Sequence, residues 1–103
     1  GAGEPVVVPS YAAWFDLNKI HQLEKRDLPE WFAPGRPSLT PRTYLESRNT
    51  MVLLYRESPK RYLTAAAARR HVSGDAGALL RLHGFLEHWG LVNCCAAVHH
   101  RPV

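Results

Sequence analysis

Basic residues concentrate in one short stretch of the chain, and they are the side chains best suited to bind an anion. Between positions 56 and 70 lie five cations and one acid, an imbalance that equals the whole net charge of +4 of the 103-residue chain. The cations are Arg56, Lys60, Arg61, Arg69 and Arg70. Such groups bind phosphate oxygens without reading base sequence, so the stretch predicts contact with a nucleic-acid backbone. An ordinary solvated surface is the alternative interpretation.

Histidines and cysteines raise the question of a metal site. Two adjacent pairs stand near the C-terminal end: Cys94, Cys95, His99 and His100. Zinc ligands are usually separated by about two to four residues, and adjacent pairs do not fit that pattern. His83 and His88 do not share a helical face as a pair four apart would. We therefore predict no metal, and we interpret His83 as a hydrogen-bonded packing residue.

No arrangement in the sequence indicates catalysis. The G-x-S-x-G, phosphate-loop and H-E-x-x-H patterns are all missing from the sequence. Asp75 and Glu87 lie too far apart on one predicted helix to act as paired acids. We expect no enzymatic activity, no cofactor and no small-molecule substrate, and we interpret Ser10 and Ser73 as turn or cap residues.

The sequence also predicts the environment of the chain. No apolar run approaches the ~20 residues that span a bilayer, and the N-terminus lacks a secretory signal pattern. The two cysteines are adjacent, and neighbouring cysteines form only a strained disulfide. An intracellular, reducing compartment and no membrane partner are therefore expected.

The first third of the chain predicts an extended arm followed by a short helix. The arm, VVVPSYAAWF, carries Trp14 and Phe15 as apolar anchors. A helix is expected near residues 18–26, capped by Asp16 or Asn18. The proline of PEWFA ends this helix and opens a helical turn.

A long central helix should follow. Thr40 is suited to the N-cap and Pro41 to the first helical position, and the helix should run to about Glu57. Four residues at helical spacing form its predicted core face: Tyr44, Met51, Val52 and Tyr55. Its charged residues are assigned to the other faces: Arg42, Glu46, Arg48 and Arg56.

The last third predicts a helix, a tight turn and a longer helix. Thr64 should cap the short alanine-rich helix TAAAARRH, and Ser73 the longer one, with Asp75 in its first turn. The apolar stripe of the longer helix comprises Ala76, Leu79, Leu82, Leu86 and Trp89, widened by Leu80 and Phe85. Gly90 should end it, with residues 91–92 as a brief extended return. This order is typical of helix-turn-helix or winged-helix units.

Three blocks of sequence, in this order, resemble SWIRM domains, particularly those of the scaffold subunits of SWI/SNF-type (BAF-type) chromatin remodellers. The blocks are VVVPSYAAWFDLNKIHQLEKRDLPEWF, TPRTYLESRN and YLTAAAARRHVSGDAGALLRLHGFLEHWGLVN. The sequence departs from the family after Asn93, where Cys94 stands in place of the usual aromatic residue. The resemblance implies an all-α fold: a compact helical domain with a long central helix and a helix-turn-helix or winged-helix-like C-terminal half. It further implies flexible residues 1–5, a SWIRM domain over 6–93 and a tail over 94–103.

The resemblance also implies a function in the nucleus. It indicates a non-catalytic scaffold module that docks another core subunit and binds nucleosomal or free double-stranded DNA independently of sequence. The residues predicted to contact DNA are Lys60, Arg61, Arg69, Arg70 and Arg81. The start of the last helix offers Gly and Ala rather than base-reading side chains, so backbone contact is expected. The alternative is a DNA-binding helix-turn-helix module of another chromatin or transcription regulator.

Overall fold

The computed structural model describes residues 8–94, and that part of the chain is helical with no β-strand. The elements are a 3₁₀ helix (Ser10–Ala12), α1 (Gln22–Asp27), a second 3₁₀ helix (Pro29–Trp31), α2 (Pro41–Glu57), α3 (Ala65–Arg69) and α4 (Ala76–His88). The predicted all-α class is confirmed, with a long central helix followed by helix, turn and helix. Residues 1–5, which were predicted to be flexible, and residues 95–103 of the predicted tail lie outside the described residues.

The long helix α2 begins and ends as the sequence predicts. Thr40 is the N-cap, and its Oγ1 accepts a hydrogen bond from the Thr43 N–H at 3.1 Å. Thr43 Oγ1 accepts in return from the Thr40 N–H at 2.9 Å, which completes a capping box. The predicted core face is confirmed, because all four of its members are buried: Tyr44, Met51, Val52 and Tyr55.

Arg48 was predicted on an outer face of α2, and this was wrong because its side chain is fully buried. Its Nη1 lies 2.7 Å from Glu24 Oε1, and the same oxygen accepts a hydrogen bond from the Tyr44 hydroxyl at 2.6 Å. Arg48 also donates to the carbonyl oxygens of Lys19 and Asp16, at 2.9 and 2.7 Å. A buried guanidinium needs this complete set of partners to offset its loss of hydration.

Helix α1 begins at Gln22, four residues later than predicted. His21 is its N-cap, and Glu24 Oε2 accepts from the His21 N–H at 2.6 Å. Asp16 instead closes a turn by accepting from the Asn18 N–H at 2.7 Å. Residues 16–19 stay out of the helix because their carbonyl groups face Arg48. The predicted end before Pro29 and the helical turn that follows are confirmed.

The N-terminal arm contains a short 3₁₀ helix where an extended segment was predicted. Trp14 and Phe15 pack against the core, as expected of anchors. Trp14 also lies edge-on to Trp89 with ring centroids 5.4 Å apart, and Pro9 covers the backbone of Gly90. The arm is therefore packed against the end of α4.

Helix α4 has a different cap from the predicted one. Asp75 is the N-cap, and its Oδ2 accepts from the Ala78 N–H at 3.2 Å, so the assignment of Ser73 as cap was wrong. Gly74 lies between them with φ +143°, a conformation that keeps Ser73 outside the helix. The predicted cap of α3 is confirmed, since Thr64 Oγ1 accepts from the Ala67 N–H at 3.0 Å.

The apolar stripe of α4 packs against α2 and α3. Four of the predicted residues are buried: Leu79, Leu82, Phe85 and Leu86. Leu80 is 58% exposed, Ala76 is exposed and Trp89 is half-buried. Gly90 has φ +69°, as predicted for a helix end. The extended return predicted at residues 91–92 is a bend instead, because both N–H groups fold back to the Leu86 carbonyl.

Candidate nucleic-acid interface

Lys60 and Arg61 lie on the turn that follows α2. The Arg61 N–H donates to the Ser58 carbonyl at 3.0 Å, and the Tyr55 hydroxyl donates to the Pro59 carbonyl at 2.9 Å. These bonds hold the turn to the buried face of α2. Both basic side chains are exposed.

The segment between this turn and α3 is fastened to the end of α4 by Asn93. The Asn93 Oδ1 accepts from the Leu63 N–H at 2.6 Å, and its Nδ2 donates to the Leu63 carbonyl at 2.9 Å and to Glu87 at 3.0 Å. Asn93 adopts φ +61°, which asparagine tolerates better than most residues. His83, buried as predicted, places Nε2 2.7 Å from the same carbonyl. Leu63 therefore enters α3 in a fixed position.

Arg69 and Arg70 lie at the C-terminal end of α3, where the sequence predicted them. Arg69 is the last helical residue, and Arg70 is the C-cap. Both side chains are exposed. A cation at this end of a helix is favoured by the partial negative charge of the free carbonyl groups. Arg69 and Arg70 can stabilise the end of α3 in this way and still contact a phosphate on another molecule.

A hollow of about 240 Å³ separates the end of α2 from α3, and we call it the α2–α3 groove. Leu54, Leu63 and Ala67 supply apolar walls, and the charged or polar edges include Arg61, His71 and the acidic Glu57. The groove thus brings Arg61 next to the segment that follows Arg70. Sequence reasoning missed His71, because nothing in its local pattern indicates that two distant segments meet there.

Ion pairs separate the predicted DNA-contacting residues into two groups. Within residues 8–94, Lys60, Arg61, Arg69 and Arg70 form no ion pair with a carboxylate. Arg81, by contrast, donates from Nη2 to the Asp27 carbonyl at 2.9 Å. Its Nη1 lies 3.1 Å from Glu30 Oε1, within ion-pair distance although not aligned for a hydrogen bond. Arg81 is therefore engaged with the end of α1 and the 3₁₀ turn after it.

Arg56, which contributes to the basic stretch of the sequence, is not part of the exposed group. Its side chain is half-buried, and its guanidinium carbon lies 5.9 Å from the centre of the Phe15 ring. The Arg56 Nε is buried without a hydrogen-bond partner. Arg56 therefore contributes packing against the arm rather than charge to the surface.

The first turn of α4 lacks the side chains needed to read bases. It consists of Ala76, Gly77 and Ala78, none of which has a hydrogen-bonding side chain. The Asp75 carboxylate is occupied as the N-cap and lies 3.6 Å from an Arg36 nitrogen. This end of α4 therefore offers DNA bases no free hydrogen-bonding side chain.

Within residues 8–94 the structure has neither a metal centre nor a helix that could span a membrane. Across residues 8–94, no three His, Cys, Asp or Glu side chains come together as metal ligands would. Cys95, His99 and His100 lie outside the described residues. No helix in the same part of the chain is long and apolar enough to cross a bilayer.

The fold and the site together define a small helical domain of the helix-turn-helix type, built on one long central helix and bearing exposed cations beside its turn. The chain belongs to the SWIRM domain family, whose profile matches residues 9–94. The family predicted from the three sequence blocks is confirmed.

Similar proteins come from fungi and plants. The chain is 53% identical over 88 residues to the SWI/SNF complex subunit SWI3 of Saccharomyces cerevisiae, covering 85% of this chain and 11% of that protein. It is 49% identical over 89 residues to the SWI/SNF and RSC complexes subunit ssr2 of Schizosaccharomyces pombe, covering 86% and 18%. It is 36% identical over 97 residues to the SWI/SNF complex subunit SWI3C of Arabidopsis thaliana, covering 93% and 12%. The chain thus spans less than a fifth of the length of these relatives.

Proposed function

We propose that this chain is a non-catalytic scaffold module of a SWI/SNF-type chromatin-remodelling complex, acting in the nucleus by docking another core subunit. The observation that carries the proposal is the similarity, at 36 to 53% identity over nearly the whole domain, to proteins named as subunits of such complexes.

Docking is best tested through identified partners. The immobilised chain should retain other subunits of a SWI/SNF complex from nuclear extract, with the retained proteins identified by mass spectrometry. Leu53, 49% exposed on α2, and Leu80, 58% exposed on α4, offer two apolar positions for comparison. Leu53→Asp and Leu80→Asp change one surface each without touching the core. Retention of no subunit by the wild-type chain would contradict the docking role.

A second role that we propose is contact with the backbone of nucleosomal or free duplex DNA. Lys60, Arg61, Arg69 and Arg70 are exposed and make no ion pair within the described part of the chain. Cations without protein partners remain available to displace counterions from phosphates. Arg81 contributes less in this proposal, because Glu30 and the Asp27 carbonyl engage its guanidinium.

Duplex DNA should be titrated with the chain at low and at moderate salt. We expect Arg69→Glu combined with Arg70→Glu to abolish binding, since two cations become two anions at one site. The matched control is Lys25→Glu combined with Arg26→Glu, which makes the same change of charge at two exposed residues of α1. Absence of wild-type binding at low salt would leave docking alone. Unchanged binding by the double variant would place the DNA surface elsewhere.

A further inference from the structure

Ser73 is an exposed serine whose hydroxyl has no role in the fold. The sequence suggested that it caps α4, but Asp75 holds that position. The Ser73 hydroxyl makes no hydrogen bond within residues 8–94. It lies in the irregular segment between α3 and α4, next to Gly74 with φ +143°. A free hydroxyl on an exposed turn is accessible to a modifying enzyme.

Two exposed arginines precede this hydroxyl at fixed spacing. Arg70 stands three residues before Ser73, and Arg69 stands four residues before it. One class of serine kinases has acidic substrate clefts that select arginine at the third position before serine, because charge patterns set kinase specificity. Neither arginine is held by an ion pair in the described residues. The two side chains are therefore free to enter such a cleft.

The other serine near the basic residues is a poor candidate. Ser58 precedes Pro59, Lys60 and Arg61, a sequence that a proline-directed kinase could select. Its surroundings are fixed, however, because Pro59 is buried and its carbonyl accepts from the Tyr55 hydroxyl. A kinase binds its substrate in extended form. At Ser58 that would pull the buried Pro59 off α2, whereas at Ser73 it would unwind only the end of the five-residue α3 and expose the half-buried Val72. The structure thus distinguishes two serines that the sequence alone does not.

We propose that Ser73 is a phosphorylation site for an arginine-directed serine kinase and that phosphate at Ser73 switches off the DNA contact. In the transfer, the Ser73 hydroxyl oxygen forms a bond to the γ-phosphorus of a nucleoside triphosphate held with Mg²⁺ by the kinase. The bond from that phosphorus to the β,γ-bridging oxygen breaks, the nucleoside diphosphate leaves, and the hydroxyl proton passes to the kinase's catalytic base. This inference rests on the proposed DNA role for its consequence, but not for the modification itself.

The consequence follows from charge. A phosphoserine carries about −1.5 to −2 at pH 7, which cancels roughly half of the charge of Lys60, Arg61, Arg69 and Arg70. The new phosphate lies three residues from Arg70 and competes with DNA phosphates for the same guanidinium groups. Because about two DNA phosphates then have no protein cation beside them, DNA affinity at about 0.1 M salt should fall by at least tenfold.

The experiment treats the 103-residue chain with a purified kinase that requires arginine three residues before serine, and it locates phosphate by mass spectrometry. We expect one phosphate, at Ser73, and none at that position in Ser73→Ala. Arg70→Ala should reduce the labelling rate at Ser73 by more than about tenfold, whereas Lys60→Ala, which removes an exposed cation with no hydroxyl residue three positions later, should leave it unchanged. Labelling at other serines with Ser73 untouched overturns the proposal.

The phosphorylated chain is then titrated with duplex DNA beside the unmodified chain. Ser73→Glu should show part of the loss in affinity, and Ser10→Glu, which places a carboxylate on the N-terminal arm, should show none. Equal affinity of the phosphorylated and unmodified chains overturns the switch. If the unmodified chain binds no DNA even at low salt, the proposed DNA role and the switch fail together, while labelling at Ser73 still decides whether the site exists.

Discussion

At the scale of single residues, the buried ion pair between Arg48 and Glu24 decides how the first third of the chain is held. Both side chains are fully buried. The guanidinium carbon lies 4.7 Å from the centre of the Phe15 ring, and its nitrogens reach two backbone carbonyls of the turn at residues 16–19. One side chain on α2 thereby fixes α1, the turn before it and the arm.

Arg48→Met should be among the most destabilising substitutions of the chain. It leaves the Glu24 carboxylate buried without its cation, and breaking such a pair costs about 3–5 kcal/mol of unfolding free energy. Urea unfolding followed by circular dichroism measures this loss. Arg42→Met is the control, because Arg42 forms an exposed i,i+4 pair with Glu46, worth about 0.3–0.5 kcal/mol. Losses of similar size in the two variants would contradict the structural role of Arg48.

Tyr44 makes the stability depend on pH in the alkaline range. Burial, and after it the hydrogen bond to the Glu24 carboxylate, raise the pKa of the Tyr44 hydroxyl well above its ordinary value. The folded chain therefore keeps a proton that the unfolded chain loses above about pH 10. The stabilisation is complete below that pH and falls as pH rises further, by about 1.4 kcal/mol per pH unit.

Comparing Tyr44→Phe with wild type measures how much the ionisation of Tyr44 contributes to the pH dependence of the unfolding free energy. Unfolding free energies measured by urea titration at several pH values between about 9 and 11 should fall less steeply for the variant, since it has no phenol to ionise at this position. Only the slopes are compared, because the variant also loses a hydrogen bond to Glu24. Tyr11→Phe, at a phenol whose residue is 59% exposed, is the control. Parallel curves for wild type and Tyr44→Phe would rule out a linked proton at Tyr44.

Buried polar residues mark the limit of prediction at this scale. Arg48 lies four residues after Tyr44 and three before Met51, so helical spacing places it on the core face of α2, but its partners come from 24 and more residues earlier. No local pattern contains that information. His83 was predictable as a packing residue because it lies on the buried stripe of a strongly periodic helix. The exposed arginines were predictable because charge density is itself a sequence property.

At the scale of elements, capping chemistry accounts for the correct predictions and for the incorrect ones. Thr40 with Pro41, and Thr64 before a run of alanines, specify helix starts without competition from their neighbours. Ser73 and Asp75 are two acceptable caps within three residues, so local preference alone does not choose between them. The positive φ of Gly74 selects the second.

Substitution at the two candidate caps tests this assignment. Asp75→Ala should lower the unfolding free energy by about 0.5–2 kcal/mol, since the Ala78 N–H loses its acceptor. Ser73→Ala should change it by less than about 0.5 kcal/mol, as at an ordinary surface position. Thermal unfolding of the unphosphorylated proteins measures both. The reverse order would show that Ser73 is the cap in solution.

Alanine substitution at two glycines of the last third should change the unfolding free energy in opposite directions. At Gly90 the backbone has φ +69°, and a Cβ would lie 2.7 Å from Pro9 Cγ, so Gly90→Ala should destabilise by more than about 1 kcal/mol. At Gly84, within α4, nothing lies within 4 Å of the added Cβ. Gly84→Ala should therefore stabilise by about 0.4–1 kcal/mol. Denaturant midpoints measure both, and a neutral Gly90→Ala would mean that the arm does not pack there.

At the scale of the whole molecule, the distribution of charge matters more than the net value. Arg26, Arg36, Arg42, Arg48 and Arg81 each have a carboxylate within ion-pair distance. Lys60, Arg61, Arg69 and Arg70 do not, as far as residues 8–94 extend. The cations used by the fold and those left for a partner are thus distinct sets.

This separation predicts the salt dependence of DNA binding. Four backbone contacts give a slope of roughly −3 to −4 in a plot of log affinity against log salt concentration. Arg69→Ala should reduce the steepness by about 1 and weaken all duplexes alike, because no base is read. Arg26→Ala, at a paired and exposed arginine on α1, should leave the slope unchanged. Fluorescence anisotropy with two unrelated duplexes measures both quantities, and affinity that differs strongly between the duplexes would indicate base readout.

The amide of Asn93 has a practical consequence for anyone who shortens this domain. Asn93 lies beyond the last helix, so a domain boundary chosen from the secondary structure would exclude it. Its amide nevertheless hydrogen-bonds both the N–H and the carbonyl of Leu63, thirty positions earlier. A protein ending at Val92 would keep every helix but would lose the hydrogen bonds between the Asn93 side chain and Leu63. The Leu63 N–H would lose its acceptor while His83 still contacts the Leu63 carbonyl, so the segment that joins the basic turn to α3 would loosen. An experiment on such a shortened protein would report a loosened surface rather than a missing one.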